Sequence, residues 1–209
     1  MSFGKFALTL GLGLQTAAFG AVAAAGQPAH APALTPVAGL GTSEQVRREK
    51  LALEVLATPQ VREQLRRVEA LYAADPQGAT PTGKATIGRA AHSITMAAIY
   101  MAIAEDLTRP YPFWSVNAPH EWFGIKVPRA GFGIDNPDNV YSPIRIEGGV
   151  RYEVGGRIRQ PGPVELHFEL RDSVPGTGPI VAEAGQQLAT LRSDEIAVQP
   201  DGSFVITID

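Results

Sequence analysis

The periodicity of apolar residues changes once along this chain, near Arg109, and this change most constrains the fold. Before it, apolar residues recur at helical spacing. After Asn139 they alternate with a period of two, which is typical of strands with one face on a core. Helices followed by strands indicate an α+β fold, in which an N-terminal three-helix segment packs on an antiparallel β-sandwich or jelly-roll-like domain.

The helical segment is predicted to span residues 42–108. Its three helices should begin after three capping residues, Thr42, Thr58 and Thr80. The second and third of these are followed directly by proline, which suits the first position of a helix. The third helix, from about Lys84 to Leu107, has the widest apolar face and is expected to be the most buried.

The predicted β domain spans residues 109–209 and begins with a loop rich in aromatic residues, "RPYPFWSVNAPHEWFG" (residues 109–124, the aromatic loop). Strands are predicted around Val140–Ile146, in "VRYEVGGRI" and in "VELHFEL". Glu147-Gly148-Gly149 predicts a hairpin between the first two, and Pro200-Asp201-Gly202 predicts a later turn.

The first 31 residues have the order of a secretory signal peptide. Lys5 precedes an apolar run, and two small-residue cleavage sites follow, ending at Ala25 and Ala31. Residues 32–41 then form a flexible leader. This pattern predicts a periplasmic or secreted protein of the bacterial envelope, with no stable membrane insertion after cleavage. An uncleaved anchor is the alternative, because about 20 apolar residues span a bilayer.

Composition excludes several kinds of chemistry. The chain has no cysteine, which rules out disulfides, zinc–thiolate sites and cysteine nucleophiles. The formal net charge of −3 does not favour nucleic acid as a partner. No phosphate-binding glycine loop and no metalloprotease motif is found, so neither a cofactor nor a metal is predicted.

The first candidate site is the stretch that contains Asp135, Asn136, Asp138 and Asn139 around a proline, followed by Tyr141. Asp and Asn side chains commonly hydrogen-bond their own backbone in turns, and this interpretation is favoured here. A polar contact with a ligand is the second interpretation. A calcium site is the third, but the spacing matches no calcium-binding loop.

The second candidate site is formed by Trp114, His120 and Trp122 in the aromatic loop. Such rings suit a small apolar or saccharide ligand, although packing at the junction between helices and sheet is the favoured interpretation. His120 is also a weak candidate for acid–base catalysis with Asp135 or Asp138, whose geometry only the folded chain can supply.

Several stretches resemble a known bacterial family. They are "GIDNPDNVYSPIRIEGGVRYEVGGR" and "LRSDEIAVQPDGSFVITID", with "LYAADP" and "TPTGKAT" in the helical part. Together they resemble the domain-of-unknown-function 1214 family, which is often found beside a domain of the 1254 series. The resemblance implies a jelly-roll or sandwich domain with attached helices and further strands after the point where this chain stops. It implies no catalytic residue.

Three functions remain as hypotheses. The first is a non-catalytic ligand-binding or accessory protein of the cell envelope, with its site between the aromatic loop and the Asp-Asn turn. The alternative is a cofactor-free enzyme that uses a His–Asp pair. The second alternative is an interaction module that binds another protein through an open sheet edge.

Overall fold

The computed structural model of the 209-residue chain describes the backbone of residues 5–13 and, in full, residues 40–108, 110–132, 136, 138–172 and 186–209. Three helices and small antiparallel sheets make up the fold, so the predicted α+β class is confirmed. Both predicted cleavage sites and most of the predicted leader lie outside the described residues.

The helices begin where the capping threonines predict. They are α1 (Ser43–Leu56), α2 (Pro59–Ala74) and α3 (Pro81–Ala104). The hydroxyl oxygens of Thr42, Thr58 and Thr80 each accept a hydrogen bond from the backbone N–H three residues further on. Each cap satisfies a donor that the first helical turn leaves without a partner, so the three predicted starts are confirmed.

The helical core joins α1 and α3 to the aromatic loop. Its buried residues are Ala52, Met96, Ala97, Ile99, Tyr100, Ala104, Phe113 and Ala130. Helix α3 contributes five of them, in agreement with its predicted burial. It is also long and apolar enough to span a membrane, but a core helix meets the same criteria, and α3 packs against α1 and α2.

Eight strands and one short 3-10 turn (Ser193–Glu195) are described. The strands are β1 (Lys5–Gly13), β2 (His120–Trp122), β3 (Ile125–Val127), β4 (Asn139–Glu147), β5 (Tyr152–Arg157), β6 (Leu166–Arg171), β7 (Gln187–Arg192) and β8 (Ser203–Ile208). They form a four-stranded sheet in the order β4-β1-β6-β7 and two two-stranded ribbons, the β2-β3 hairpin and the β5-β8 pair. All pairings are antiparallel.

Three expectations need correction. The helices are not an N-terminal segment, because β1 precedes them and joins the sheet formed by later strands. The predicted hairpin between β4 and β5 is wrong: the turn at Glu147–Val150 forms, but β4 pairs with β1 and β5 pairs with β8. The aromatic loop is not wholly irregular, since its last part is β2.

The β part has its own apolar core. Ile144 and Ile146 of β4, Leu166 and Phe168 of β6, and Phe204 of β8 are all buried in it. Phe168 and Phe204 meet edge to face, with ring centroids 5.8 Å apart. The four-stranded sheet and the β5-β8 ribbon therefore share one core.

Candidate functional site

The three aromatic residues predicted as a site do come together. Trp114 stacks on His120 with ring centroids 5.2 Å apart, and Trp122 meets the His120 ring edge to face at 4.5 Å. The β2-β3 hairpin sets this arrangement, because His120 and Trp122 are two residues apart on β2 and both face inward. Its turn, Phe123-Gly124, has positive φ at both residues (48° and 75°), as a two-residue hairpin requires.

The centre of this cluster is a residue that the sequence did not single out. Glu49 of α1 has no exposed surface and accepts three hydrogen bonds in its side chain. The donors are Gln45 Nε2 at 2.8 Å, His120 Nε2 at 3.1 Å and Trp122 Nε1 at 2.6 Å. One buried side chain of α1 is therefore bonded both to its own helix and to β2.

The orientation of the Gln45 amide follows from its neighbours. Its Oε1 accepts from the backbone N–H of Trp114 at 2.7 Å, and that donor admits only an oxygen. Its Nε2 therefore points to Glu49 and to the carbonyl of Trp114, at 2.8 and 3.1 Å. Gln45 thus links helix α1 to the backbone of the aromatic loop and supplies Glu49 with an oriented donor.

Both ring nitrogens of His120 have hydrogen-bond partners. Nδ1 lies 2.8 Å from the carbonyl oxygen of Ala118, which only accepts, so Nδ1 is the donor in that contact. Nε2 lies 3.1 Å from Oε1 of Glu49, which also accepts from Gln45. The ring of His120 is therefore held at one nitrogen by its own loop and at the other by helix α1.

Further polar atoms lie around this pair. Burial, and then the negative charge of Glu49, raise the pKa of Tyr100, and the nearby Asn117 amide opposes this shift. The Tyr100 hydroxyl nonetheless forms no well-aligned hydrogen bond within the described part of the chain, and neither do Trp114 Nε1 and Ser115 Oγ. The cluster therefore combines a fully paired centre with unpaired donors at its border.

The Asp-Asn stretch forms a turn, as its favoured interpretation predicts. The side-chain oxygen of Asn136 accepts from the N–H of Asp138 at 3.0 Å, and its carbonyl accepts from the N–H of Asn139 at 3.2 Å. The Tyr141 hydroxyl accepts from the N–H of Asn136 at 3.2 Å. These contacts confirm the predicted use of an Asn side chain to bond its own backbone. Asp135 lies outside the described residues.

The two predicted sites are neighbours along the backbone but make different contacts. The N–H of Ser115 donates to the carbonyl of Tyr141 at 3.2 Å, which joins the aromatic loop to the start of β4. The carboxylate that His120 meets is Glu49, whereas Asp138 is exposed in the turn. Among the residues that the structure describes, no three His, Asp or Glu side chains are grouped to hold a metal.

A pocket of about 330 Å³ lies between α1 and α3. Five apolar residues line it, Leu51, Val55, Ile99, Ala102 and Ile103, with Arg47, Arg48 and Asp106 beside them. Arg48 is the most buried of the charged residues here. Its guanidinium bonds Glu44 at 3.0 Å and lies 4.9 Å from the centre of the Phe113 ring. Burial lowers the pKa of Arg48, and Glu44 opposes this change.

The comparisons with known proteins leave the site without a precedent. No family model, curated protein or solved structure matches the chain. The resemblance to the domain-of-unknown-function 1214 family therefore stays a prediction, and the function is argued from the residues alone.

Proposed function

We propose that the chain is a non-catalytic ligand-binding or accessory protein of the bacterial cell envelope. Its ligand would be a small, mainly apolar molecule with one polar or anionic end. The observation that carries this proposal is the pocket between α1 and α3, which pairs an apolar lining with two arginines. Small-molecule sites are typically concave and apolar, with a few polar groups that fix the orientation of the ligand.

The chemistry of the lining supports one class of ligand over another. A hydrocarbon or aromatic body would pack against Leu51, Val55 and Ile103. A carboxylate would reach Arg47, whose side chain is 48% exposed and also bonds Glu44. A saccharide has less support. Sugar sites need an accessible aromatic face, whereas Trp122 is buried and Trp114 is stacked on His120.

Export and a sandwich-like β domain are part of the same proposal. The apolar, small-residue-rich N-terminus supports export. The apolar core shared by the four-stranded sheet and the β5-β8 ribbon supports a sandwich-like arrangement. The resemblance to the domain-of-unknown-function 1214 family points the same way.

The enzyme alternative has less support. A general base must reach its substrate, but both ring nitrogens of His120 are hydrogen-bonded and its side chain is 1% exposed. The interaction-module alternative has an observation in its favour. Val164 and Val205 in the β part are 71% and 64% exposed, and apolar residues of this kind can contact another protein.

Calorimetric titration with octanoate and with octanol tests the pocket. Octanoate should bind the wild-type protein, and octanol should bind more weakly because it lacks the charge that meets Arg47. Ala102→Phe should abolish binding, since Ala102 is an exposed position that lines the pocket and phenylalanine would fill it. Leu71→Phe is the matched control, because Leu71 is 71% exposed on α2, outside the pocket. Equal binding by both variants, or no binding of either probe to the wild type, would contradict the proposal.

A further inference from the structure

Strand β1 lies inside its sheet, between β4 and β6. Lys5–Gly13 pairs along its whole length with Asn139–Glu147 of β4, and residues 7–12 pair with residues 166–171 of β6. Both pairings are antiparallel, so β4 and β6 run parallel to each other. Since neighbouring strands lie about 4.8 Å apart, β4 and β6 are separated by about twice that distance.

The register agrees with the pattern of the sequence. The even-numbered positions of β1 are Phe6, Leu8, Leu10 and Leu12, and they lie opposite residues that are mostly buried and apolar. Leu8 is opposite Ile144, and Leu12 is opposite both Val140 and Leu166, all three of which are buried. The core of the β part thus lies on the side of the sheet to which the even positions belong.

The odd-numbered positions of β1 show the opposite character. Residue 7 is opposite Arg145 and Arg171, and residue 9 is opposite Glu169. A shift of one residue would place lysine, threonine and glycine on the core side, so the sequence specifies this register. A uniformly apolar secretion signal has no need for such alternation.

We infer that the space between β4 and β6 is a strand-acceptor site whose occupant is the chain's own Lys5–Gly13. This segment is a structural strand of the folded protein as well as an apolar N-terminus. Without it, β4 and β6 would each present an unpaired edge beside the apolar core of Ile144 and Phe168. This assignment is independent of the α1–α3 pocket. An exported protein would keep residues 5–13 attached, because cleavage after Ala25 or Ala31 would remove the strand.

Hydrogen exchange on the full-length protein tests this assignment, with intact mass confirming that residues 5–13 are present. Amides of residues 7–12 should exchange as slowly as those of β6, and those of Gly148 and Gly149 in the turn should exchange fast. Fast exchange throughout residues 5–13 would overturn the inference. Protection that grows with protein concentration would also overturn it, because the strand would then fill the site of a second copy.

Two neighbouring substitutions in the full-length chain provide a matched comparison. Leu10→Lys places a charge at a position opposite Phe168, which is 2% exposed, and should lower the urea midpoint and abolish the protection of residues 7–12. Thr9→Lys places the same charge opposite Glu169 and should leave both measurements unchanged. Equal effects of the two substitutions would overturn the inference. If Leu10→Lys does not fold, the exchange rates of the wild type and of Thr9→Lys still decide.

Discussion

Nε2 of His120 lies 3.1 Å from Oε1 of Glu49, and the two side chains are 1% and 0% exposed. The residues are 71 positions apart in the chain, one on α1 and the other on β2. Because a buried polar group without a partner costs about 1–3 kcal/mol, each residue depends on the other for its place in the fold. The pair therefore fastens the helical layer to the aromatic loop.

Glu49→Gln should destabilise the protein by about 2 kcal/mol, because it leaves a buried donor without an acceptor. Glutamine presents one oxygen and one NH2 group. Whichever way the amide is turned, its NH2 group meets a donor, either Gln45 Nε2 or Trp122 Nε1. Urea unfolding followed by circular dichroism measures the loss. Glu54→Gln, at an exposed position of the same helix, is the control and should change stability by no more than about 0.5 kcal/mol. Similar stability of the two variants would contradict the role of Glu49 as the shared hydrogen-bond acceptor of the cluster.

The two tryptophans of the cluster should respond differently to replacement by phenylalanine. Trp122→Phe removes the donor to Glu49 Oε2. It should lower the free energy of unfolding by about 2 kcal/mol beyond the cost of the smaller ring, since hydrogen bonds to carboxylates contribute about 1.5–3 kcal/mol. Trp114→Phe removes an N–H that has no partner in the described part of the chain, so it should cost only ring packing. The difference between their free energies of unfolding is the measurement. If Trp114→Phe costs as much as Trp122→Phe, the hydrogen bond to Glu49 is not the stabilising contact.

Local features of the sequence were enough to predict the helices. The threonine caps and the prolines after Thr58 and Thr80 act within four residues, so a short stretch contains all the information. Strand pairing is different, because the partner of a strand can lie anywhere in the chain. The Glu147-Gly148-Gly149 turn was recognised, yet β5 pairs with β8 about 50 residues later rather than with β4.

Only the local part of the candidate site could be predicted, because distant segments of the chain supply the rest. Trp114, His120 and Trp122 lie within nine residues, and the last two share one face of the short strand β2. Glu49 was missed because helical periodicity selects apolar residues and gives no signal for a buried carboxylate. The face of α1 that is buried carries Gln45, Arg48 and Glu49, whose partners are supplied by distant segments and by Glu44.

Stability should fall in acid partly through Glu44. Its hydrogen bond to Arg47, supported by the charge of Arg48, lowers its pKa from 4.5 to about 2. A carboxylate with a lowered pKa in the folded state stabilises the fold above pH 4.5, and this contribution is lost as the pH falls from 4.5 to about 2. The difference in free energy of unfolding between the wild type and Glu44→Gln, measured with urea, should shrink across that range. Near neutral pH it should be about 1 kcal/mol, because the Arg47 side chain is 48% exposed and the pair is screened. A difference that is constant between pH 7 and pH 2 would contradict this account.

Two adjacent glycines of β5 test how the β5-β8 ribbon packs on the core of the β part. A Cβ atom at Gly156 would lie 2.3 Å from the ring of Phe204, which is 8% exposed, whereas one at Gly155 would meet nothing within 4 Å. Gly156→Ala should therefore destabilise the protein by about 1–3 kcal/mol, the usual cost of overpacking. Gly155→Ala should be neutral or raise stability by up to about 1 kcal/mol, since alanine reduces the freedom of the unfolded chain. Thermal and urea unfolding of both variants measure the effect. Both glycines lie on β5 and pair with β8, so a general loss of β5–β8 pairing would affect the two variants alike. A selective loss at Gly156 would instead place the Phe204 ring against β5, where it joins the ribbon to Phe168 of the four-stranded sheet.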